Sequence, residues 1–331
     1  MPTMLVAEGL TKSYGDSTIV DRVSFAVNEG EIFGFLGPNG AGKTTTIRML
    51  TTLASISGGR CSVAGYDVRS EPGEVRRNIG IVPQDYSTDN ELTGMENLLL
   101  TADLYRVPRS GAEKKIGELV SLVKLQDALH RRVKTYSGGM RKRLELIAGL
   151  VHEPRILFLD EPTLGLDVQT RTAIWEYVLD LRKGHGMTIF MTTHYLEEAD
   201  SLCDSVAIID RGRIVATGSP SELKAGLGGG FLRIELAPGP SASERLSRVE
   251  GVVEVVERGD VYQVKVRSPD LVLGPIIAAV HATGRSVLDM SIVRPTLDQV
   301  FLSVTGRNLR EEVPAGESRW KTAEAAQSRR R

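Results

Sequence analysis

One glycine-rich segment constrains the fold of this chain more than any other feature. The stretch "GEIFGFLGPNGAGKTTTIRML" places an apolar strand before the pattern G-x-x-x-x-G-K-T, which runs from Gly37 to Thr44. Glycines let successive backbone N–H groups converge on phosphate oxygens, and the start of the following helix adds a partial positive charge. Strand, glycine loop and helix in this order are the context of a phosphate-binding loop, or P-loop. The segment therefore predicts an α/β domain that binds a nucleotide.

The loop and the first turn of its helix supply the predicted nucleotide contacts. We expect Lys43 to reach the β- and γ-phosphates and the Thr44 hydroxyl to hold Mg²⁺. Ile47, Leu50 and Leu53 follow on one expected apolar face of the helix. A glycine turn that binds nothing is the alternative, and the flanking strand and helix argue against it. The full predicted set is Gly37, Pro38, Asn39, Gly40, Ala41, Gly42, Lys43, Thr44 and Thr45.

An acidic pair follows a second apolar strand. In "RILFLDEP", residues 156–159 predict a buried parallel strand that delivers Asp160 and Glu161 at its carboxyl end, where ligand sites of α/β sheets lie. Asp160 suits the holding of Mg²⁺ through its water shell, and Glu161 suits the polarising of an attacking water. Taken alone, such a pair is more often a helix cap or a surface pair. Behind a P-loop, the catalytic interpretation is favoured.

A second glycine pair stands before a basic helix. In "TYSGGMRKRLELIAGL", the two glycines leave backbone N–H groups at the positive end of a helix, which predicts a second anion site. Met140, Leu144, Ile147 and Val151 share one helical face, so we expect them to pack. The basic residues 141–143 are interpreted as a solvated face of the same helix rather than as an anion site.

The order of these motifs resembles that of ATP-binding cassette (ABC) proteins. "YSGGM" and "LDEPTLGLD" match the signature and D-loop of that family, and the resemblance covers residues 5–227 through seven ordered motifs. It implies a RecA-like P-loop core with an antiparallel β subdomain and a helical subdomain. It also implies that Tyr14 in "TKSYGD" stacks on adenine, that Gln84 in "GIVPQDY" acts in catalysis and holds Mg²⁺, and that His194 in "FMTTHYLEEAD" acts in catalysis.

Several of these residues have a simpler interpretation. Tyr14 is otherwise an ordinary strand tyrosine, and an isolated histidine in the place of His194 is more often structural. Gln84 by itself carries almost no information. Asp167 caps the helix "VQTRTAIWEYVLDL" in the simple interpretation, and in the family it also bridges a dimer.

The family also implies why one chain carries two anion sites. Two ABC domains pack head to tail, so that Ser137, Gly138 and Gly139 of one copy bind the γ-phosphate held by Lys43 of the other. This chain has Met140 where the family signature ends in glutamine, and it has Tyr136 at the start of the signature, where leucine is usual. The contacts that the family makes through that glutamine are therefore not assigned to this chain.

A smaller domain is predicted after the glycine-rich joint "KAGLGGGFLR". The order β-α-β-β-α-β-α that follows predicts an α+β ferredoxin-like domain. We place the ATP-binding domain at 4–228, the accessory domain at 229–306 and a disordered tail at 307–331. Helix starts are expected after Ser219 and Thr296, because each begins a capping box. A regulatory role, ligand sensing and clamping of a dimer are all open for the accessory domain.

"YSGGMRKRLELIAGL" together with "RPTLDQVFLSVTG" narrows the resemblance to the ATP-binding subunits of daunorubicin-resistance drug exporters. Such subunits imply a homodimer at the cytoplasmic face of the cell membrane, bound to a separate ABC-2 type integral membrane permease. The permease is expected near Gln84 and "YSTDNELTGMENL", and the cargo is a drug, an antibiotic or a lipid-like molecule.

The composition agrees with this assignment. No apolar run approaches the ~20 residues that span a bilayer, and a net charge of −1 gives no reason to expect nucleic acid. The two cysteines form no C-x-x-C motif, which favours a reducing compartment. A soluble ABC ATPase that acts on ribosomes or DNA is the alternative, and a P-loop kinase outside the family is a remoter one.

Overall fold

The structure, a computed structural model, describes residues 2–227, 229–267, 269–293 and 295–306. The predicted tail at 307–331 lies outside the described residues. Contacts divide the chain into two compact units, the first comprising the chain up to Thr217 and again from Thr305, and the second spanning Gly218–Val304. Each unit has its own buried apolar cluster.

The elements of the first unit alternate between strands and helices. Its strands are β1 (Thr3–Tyr14), β2 (Ser17–Asn28), β3 (Ile32–Leu36), β4 (Gly58–Val63), β5 (Tyr66–Asp67), β6 (Ile79–Val82), β7 (Ile156–Asp160), β8 (Thr188–Thr193), β9 (Ser205–Asp210) and β10 (Arg213–Gly218). Its helices are α1 (Lys43–Leu50), α2 (Pro72–Asn78), α3 (Gly94–Leu104), α4 (Arg109–Leu122), α5 (Gly138–Ala148), α6 (Val168–His185) and α7 (Leu196–Leu202), with short 3-10 turns at Gln126–Ala128 and Val133–Thr135.

The central sheet places the P-loop and the acidic pair at one edge. Its strand order is β10-β9-β3-β8-β7-β6, and β3, β6, β7, β8 and β9 run parallel to one another. Every residue of β3, β7 and β8 is buried, as expected for parallel strands covered on both faces. The register pairs Asp160 with Thr192 and Leu36 with Thr193, so the carboxyl ends of β3, β7 and β8 meet.

An antiparallel sheet, in the order β2-β1-β4-β5, shares the apolar core of the central sheet. Phe25 of β2 stacks on Phe33 of β3 with ring centroids 5.3 Å apart, and Phe190 of β8 lies 5.6 Å from Phe33. The expected apolar face of α1 is correct for Ile47 and Leu50 but wrong for Leu53. The helix ends at Leu50 and the chain reverses at Thr52 with φ of 64°, so Leu53 is 65% exposed.

The second unit has the predicted ferredoxin-like topology. Its elements are α8 (Pro220–Ala225), β11 (Gly230–Leu236), α9 (Ser243–Ser247), β12 (Val252–Arg258), β13 (Val261–Val266), α10 (Pro269–His281), β14 (Val287–Val293) and α11 (Leu297–Thr305). The strand order is β12-β13-β11-β14, with antiparallel pairing throughout. Both predicted capping boxes form, with Ser219 joined to Glu222 and Thr296 joined to Gln299.

Candidate nucleotide-binding site

Lys43 is the first residue of α1, and it is buried at the mouth of the P-loop. Its ammonium donates to the carbonyl oxygens of Gly37, at 2.7 Å, and Pro38, at 3.1 Å. Its third contact is an ion pair with Glu161, with 3.0 Å between Nζ and Oε1. The side chains of Lys43 and Glu161 are both buried. The loop thus holds a cation beside a carboxylate at a site with little access to solvent.

The loop conformation depends on glycine. Gly42 has φ of 108°, in a region that L side chains rarely adopt, and a Cβ there would lie 3.0 Å from the carbonyl oxygen of Ile19. The N–H groups that follow start α1, where the helix dipole favours an anion. The backbone therefore has the form that a bound phosphate group needs.

Asp160 ends β7 and is buried beside the P-loop. Its Oδ1 accepts hydrogen bonds from the Thr192 hydroxyl at 2.6 Å and from the Thr44 hydroxyl at 3.4 Å. Burial raises the pKa of Asp160, and the hydrogen bonds from the two threonines oppose that rise. Carboxylate and hydroxyl oxygens are hard ligands, and Mg²⁺ in nucleotide sites takes few protein ligands beside phosphate oxygens and water. Thr44 and Asp160 fit that requirement.

Glu161 adopts a left-handed backbone conformation, with φ of 49°, in the turn after β7. Such a conformation is strained for a residue with a side chain and is concentrated at functional sites. The turn directs the carboxylate to Lys43 on one side and to Nδ1 of His194 on the other. Burial alone raises the pKa of Glu161, but the His194 hydrogen bond and the Lys43 charge outweigh it, so the pKa is lowered. Glu161 is consequently ionised at neutral pH.

A cavity of about 220 Å³ is lined by P-loop residues and Glu161, and Asp160 and His194 are not among the described residues that line it. It brings Gln84, from the segment after β6, to the P-loop and to Glu161. Among the described residues, Ser137, Gly138 and Gly139 are not part of its lining. The lining residues are Ile19, Asn39, Gly40, Gly42, Lys43, Thr44, Thr45, Gln84 and Glu161.

The second glycine pair starts α5. Ser137 is the N-cap, and its hydroxyl accepts from the backbone N–H of Met140 at 3.3 Å. A Cβ at Gly139 would lie 2.5 Å from Cγ2 of Thr170, so a side chain there has no room. Ser137 and Gly138 are exposed, whereas Gly139 is buried. The helix therefore presents its positive end outward.

Two further predicted residues lie at element ends. Tyr14 ends β1 with 53% of its surface exposed, and the Lys12 ammonium lies 4.7 Å from its ring centroid. Asp167 is the N-cap of α6, accepting from the Thr170 backbone N–H at 2.9 Å and from its hydroxyl at 2.7 Å. The capping interpretation of Asp167 is therefore correct, and its exposed position is compatible with a further contact.

Comparison with known proteins decides the family. The ABC transporter family model matches residues 20–164, and a model for the C-terminal domain of DrrA1-3-like ATP-binding proteins matches residues 218–305. The chain is 42% identical over 309 residues to the daunorubicin/doxorubicin resistance ATP-binding protein DrrA of Streptomyces peucetius, covering 92% of this chain and 93% of that protein. The chain belongs to the ABC transporter ATP-binding proteins of the drug-resistance type. The resemblance inferred from its motifs is confirmed.

Other relatives of this ABC ATPase are resistance and export proteins. It is 37% identical to the linearmycin resistance ATP-binding protein LnrL of Bacillus subtilis, over 93% of this chain and 100% of that protein. It is 35% identical to the Nod factor export ATP-binding protein I of Ralstonia nicotianae, over 93% and 95% of the two chains. The chain is accordingly an ATP-hydrolysing transport subunit of the export group, and the ribosome or DNA alternative is not favoured.

Solved structures agree with the fold of this ABC ATPase. A structure described as the ATP-binding subunit of an ABC transporter superposes with a TM-score of 0.62 and 30% identity, covering 68% of this chain and 93% of that one. The ADP conformation of MJ1267, an ATP-binding cassette of an ABC transporter, gives 0.61 and 27%, covering 67% and 93%. Across the described ranges, no helix has the length and apolar character required to cross a membrane.

Sequence reasoning missed two polar residues that order the site, Thr192 and Glu198. Thr192 joins the acidic pair, since its hydroxyl donates to Asp160 and accepts from the Glu161 backbone N–H at 3.0 Å. Glu198 of α7 is fully buried and accepts, through one oxygen, from the Thr163 hydroxyl and the Trp175 indole, both at 2.9 Å. Only the cross-strand register and the packing of α7 reveal these contacts.

The basic residues of α5 were also misjudged. Lys142 is 5% exposed and donates to the carbonyl oxygen of Pro83 at 2.9 Å. Arg143 donates to the carbonyl oxygens of Val123 and Lys124 at 3.1 and 3.2 Å. The prediction of a solvated face is therefore wrong for Lys142 and Arg143, because the helix is covered on that side by neighbouring loops.

The buried Glu198 predicts a pH-dependent difference in stability. Burial raises the pKa of Glu198 above its ordinary value of 4.5, against hydrogen bonds from Thr193, Trp175 and Thr163, so the folded chain keeps this proton to higher pH than the unfolded chain. The protonated Glu198 side chain therefore contributes to folding stability. This contribution is fully present below about pH 4.5 and is lost as the pH rises through the pKa of Glu198 in the folded state. Glu198→Gln retains the acceptor oxygen and does not titrate.

We therefore expect the stability of Glu198→Gln, relative to the wild type, to increase as the pH rises above 4.5. Urea unfolding between pH 4.5 and 8 measures this difference. Glu176→Gln, an exposed position on α6, is the matched control and is expected to give a difference that does not vary in this way. A constant difference for Glu198→Gln would mean that the carboxyl titrates alike in both states.

Proposed function

We propose that the P-loop cavity binds ATP with Mg²⁺ and that the residues around it hydrolyse the γ-phosphate bond. The observation that carries the proposal is the buried ion pair between Lys43 and Glu161 at the mouth of the P-loop. It joins the cation that would contact the phosphates to the carboxylate that would activate water. Tyr14, at the exposed end of β1, would stack on the adenine ring.

The metal would be held by oxygen ligands at one side of the cavity. Thr44 and Asp160 already share a hydrogen bond, and Gln84 lines the same cavity. The bound ion would neutralise phosphate charge and orient the phosphates.

Glu161 would act as the general base and His194 would position it. An ionised carboxylate accepts a proton from water, and its lowered pKa keeps it in that state. Catalysis of phosphoryl transfer depends mainly on positioning the phosphates and stabilising their charge. Lys43 and the loop N–H groups would supply both.

We propose that the ATP-binding site is completed by a second copy of the chain in a head-to-tail dimer. The support is the separation of the two anion sites: the outward-facing start of α5 does not contribute to the P-loop cavity among the described residues. Ser137, Gly138 and Gly139 of one copy would bind the phosphate held by Lys43 of the other. Asp167 at the exposed start of α6 would bridge the two copies.

The dimer would power export of a drug, antibiotic or lipid-like molecule through an ABC-2 type permease at the cytoplasmic face of the membrane. The named relatives are resistance and export proteins, which supports this cargo class. We assign ATP binding to the domain at 4–228 and an accessory role to the ferredoxin-like domain at 229–306. The exposed apolar side chains Leu100 and Leu104 of α3, beside the segment 86–98, would continue the permease contact surface.

Affinity purification from native membranes in mild detergent tests the partner. We expect the tagged chain to retain a polytopic membrane protein and Leu104→Asp to lose most of it, because a charge would be buried at the contact. Leu104 is 75% exposed, and Val215→Asp, at an exposed position on β10 at the opposite edge of the central sheet from β6, is the control that should retain it. Recovery of ribosomal or DNA-repair proteins without a membrane protein would overturn the transporter assignment.

A further inference from the structure

Two segments that would serve different ATP sites are joined within one chain. The Q-loop segment, residues 83–88, follows β6 and carries Gln84, which lines the P-loop cavity. The signature, residues 137–140, starts α5 and is not among the described residues that line that cavity. Lys142 and Glu145, on the second turn of α5, lie between them and are 5% and 1% exposed.

The two buried side chains hold the Q-loop segment on either side of Gln84. Before it, the Lys142 ammonium donates to the carbonyl oxygen of Pro83 at 2.9 Å. After it, Glu145 accepts from the backbone N–H groups of Ser87 and Thr88, both at 2.8 Å, and from the Ser87 hydroxyl at 2.6 Å. Four hydrogen bonds therefore attach the segment to one helix.

A tyrosine completes the attachment at the signature itself. The Tyr86 hydroxyl donates to the carbonyl oxygen of Gly138 at 3.3 Å, and the Arg141 guanidinium lies 5.6 Å from the centroid of its ring. The contacts thus reach the first residues of α5, which form the second anion site in the proposed function.

Burying two charged groups costs free energy unless each is well paired. Burial lowers the pKa of Lys142, while the carboxylates of Glu145, Asp160 and Asp85 act to raise it. Nothing in the packing of an amphipathic helix requires charge at these positions, since apolar side chains fill such sites at lower cost. The buried charges of Lys142 and Glu145 are instead explained by their hydrogen bonds to the Q-loop segment.

We propose that Lys142 and Glu145 are positioning residues that make the Q-loop segment and the signature move as one unit. A displacement of Gln84 caused by nucleotide in one P-loop would then shift the signature offered to the P-loop of the second copy. The two ATP sites of the dimer would be coupled through each chain. This inference rests on the composite ATP site of the proposed function.

The test uses full-length Glu161→Gln, in which hydrolysis is expected to be arrested, and adds Lys142→Met. Methionine keeps the length of the side chain and removes the donor to Pro83. We expect the dissociation constant of the ATP-bound dimer to rise about tenfold, with ATP affinity of the dilute monomer unchanged. Sedimentation gives the first quantity and nucleotide titration the second. Lys114→Met, at an exposed lysine on α4, is the matched control.

Hydrogen exchange on the dilute, monomeric wild type and Lys142→Met supplies a second readout. ATP should change the protection of residues 137–146 in the wild type, and that change should be lost in Lys142→Met. Tyr86→Phe, an exposed position that leaves the fold intact, should give a smaller loss in the same direction.

The outcomes separate the two proposals. A Glu161→Gln protein that stays monomeric in ATP would contradict the composite site, while exchange would still decide the coupling within one chain. Unchanged dimer affinity in Lys142→Met, together with unchanged exchange in Lys142→Met and Tyr86→Phe, would overturn the positioning role. A parallel loss of monomer ATP affinity and thermal stability would reduce Lys142 to a structural residue.

Discussion

Lys43→Ala is expected to lower kcat/KM for ATP by at least about a hundredfold. Lys43 is the buried cation of the P-loop, fixed by the carbonyl oxygens of Gly37 and Pro38 and by Glu161. Its removal leaves developing phosphate charge without a preorganised donor in a site of low dielectric, where such a donor has its largest effect. ATP affinity should fall together with turnover, because the same ammonium would contact the bound phosphates before and during reaction.

The same change has a predictable electrostatic consequence. The Lys43 charge is one of the influences that lower the pKa of Glu161, so that pKa should rise in Lys43→Ala. A lowered carboxylate pKa contributes stability that is present above the unfolded value, near 4.5, and is lost as pH falls through the folded value. Lys43→Ala should therefore lose part of that stability at neutral pH.

Steady-state hydrolysis and nucleotide titration measure the first effect, and urea unfolding at pH 7 measures the second. Arg48→Ala is the matched control, because Arg48 lies on the exposed side of the same helix and outside the cavity. Near-normal turnover of Lys43→Ala would mean that the P-loop assignment is wrong.

Glu161→Gln is expected to lower kcat by about 10² to 10⁴ while ATP affinity is retained. The amide has the size of the carboxylate but does not take up a proton. The substitution therefore removes general-base catalysis and leaves the shape of the cavity unchanged. The Lys43 ammonium, released from its ion pair, stays available to phosphate. ATP that is bound and not hydrolysed should hold two copies together.

Single-turnover hydrolysis and sedimentation with ATP test this prediction. The Glu161→Gln protein should sediment as a dimer, and adding Ser137→Arg should return it to the monomer, because the side chain would occupy the start of α5. Glu118→Gln, an exposed position on α4, should behave as the wild type. If Glu161→Gln remains monomeric at saturating ATP, the head-to-tail proposal is wrong.

Local sequence chemistry was sufficient for much of this molecule. The apolar strand before Gly37 and the apolar run before Asp160 predicted buried parallel strands, and the family resemblance named the domain. The ferredoxin-like order and both capping boxes were also predicted, because strand alternation and capping involve residues that are close in the chain. Leu53 was misplaced for a related reason: helical spacing continues in the sequence after the backbone has already turned.

The sequence by itself determined the features that are built from residues close together in the chain. These features are the P-loop, the strand before it, the acidic pair and the helix caps. Only the tertiary structure decided which distant residues complete them. Thr192 joins Asp160 to Glu161 through strand register, and Lys142 and Glu145 are buried because residues 83–88 cover them. A charge on an amphipathic helix is solvated or buried according to what packs against it, and that neighbour lies almost sixty residues away in the chain.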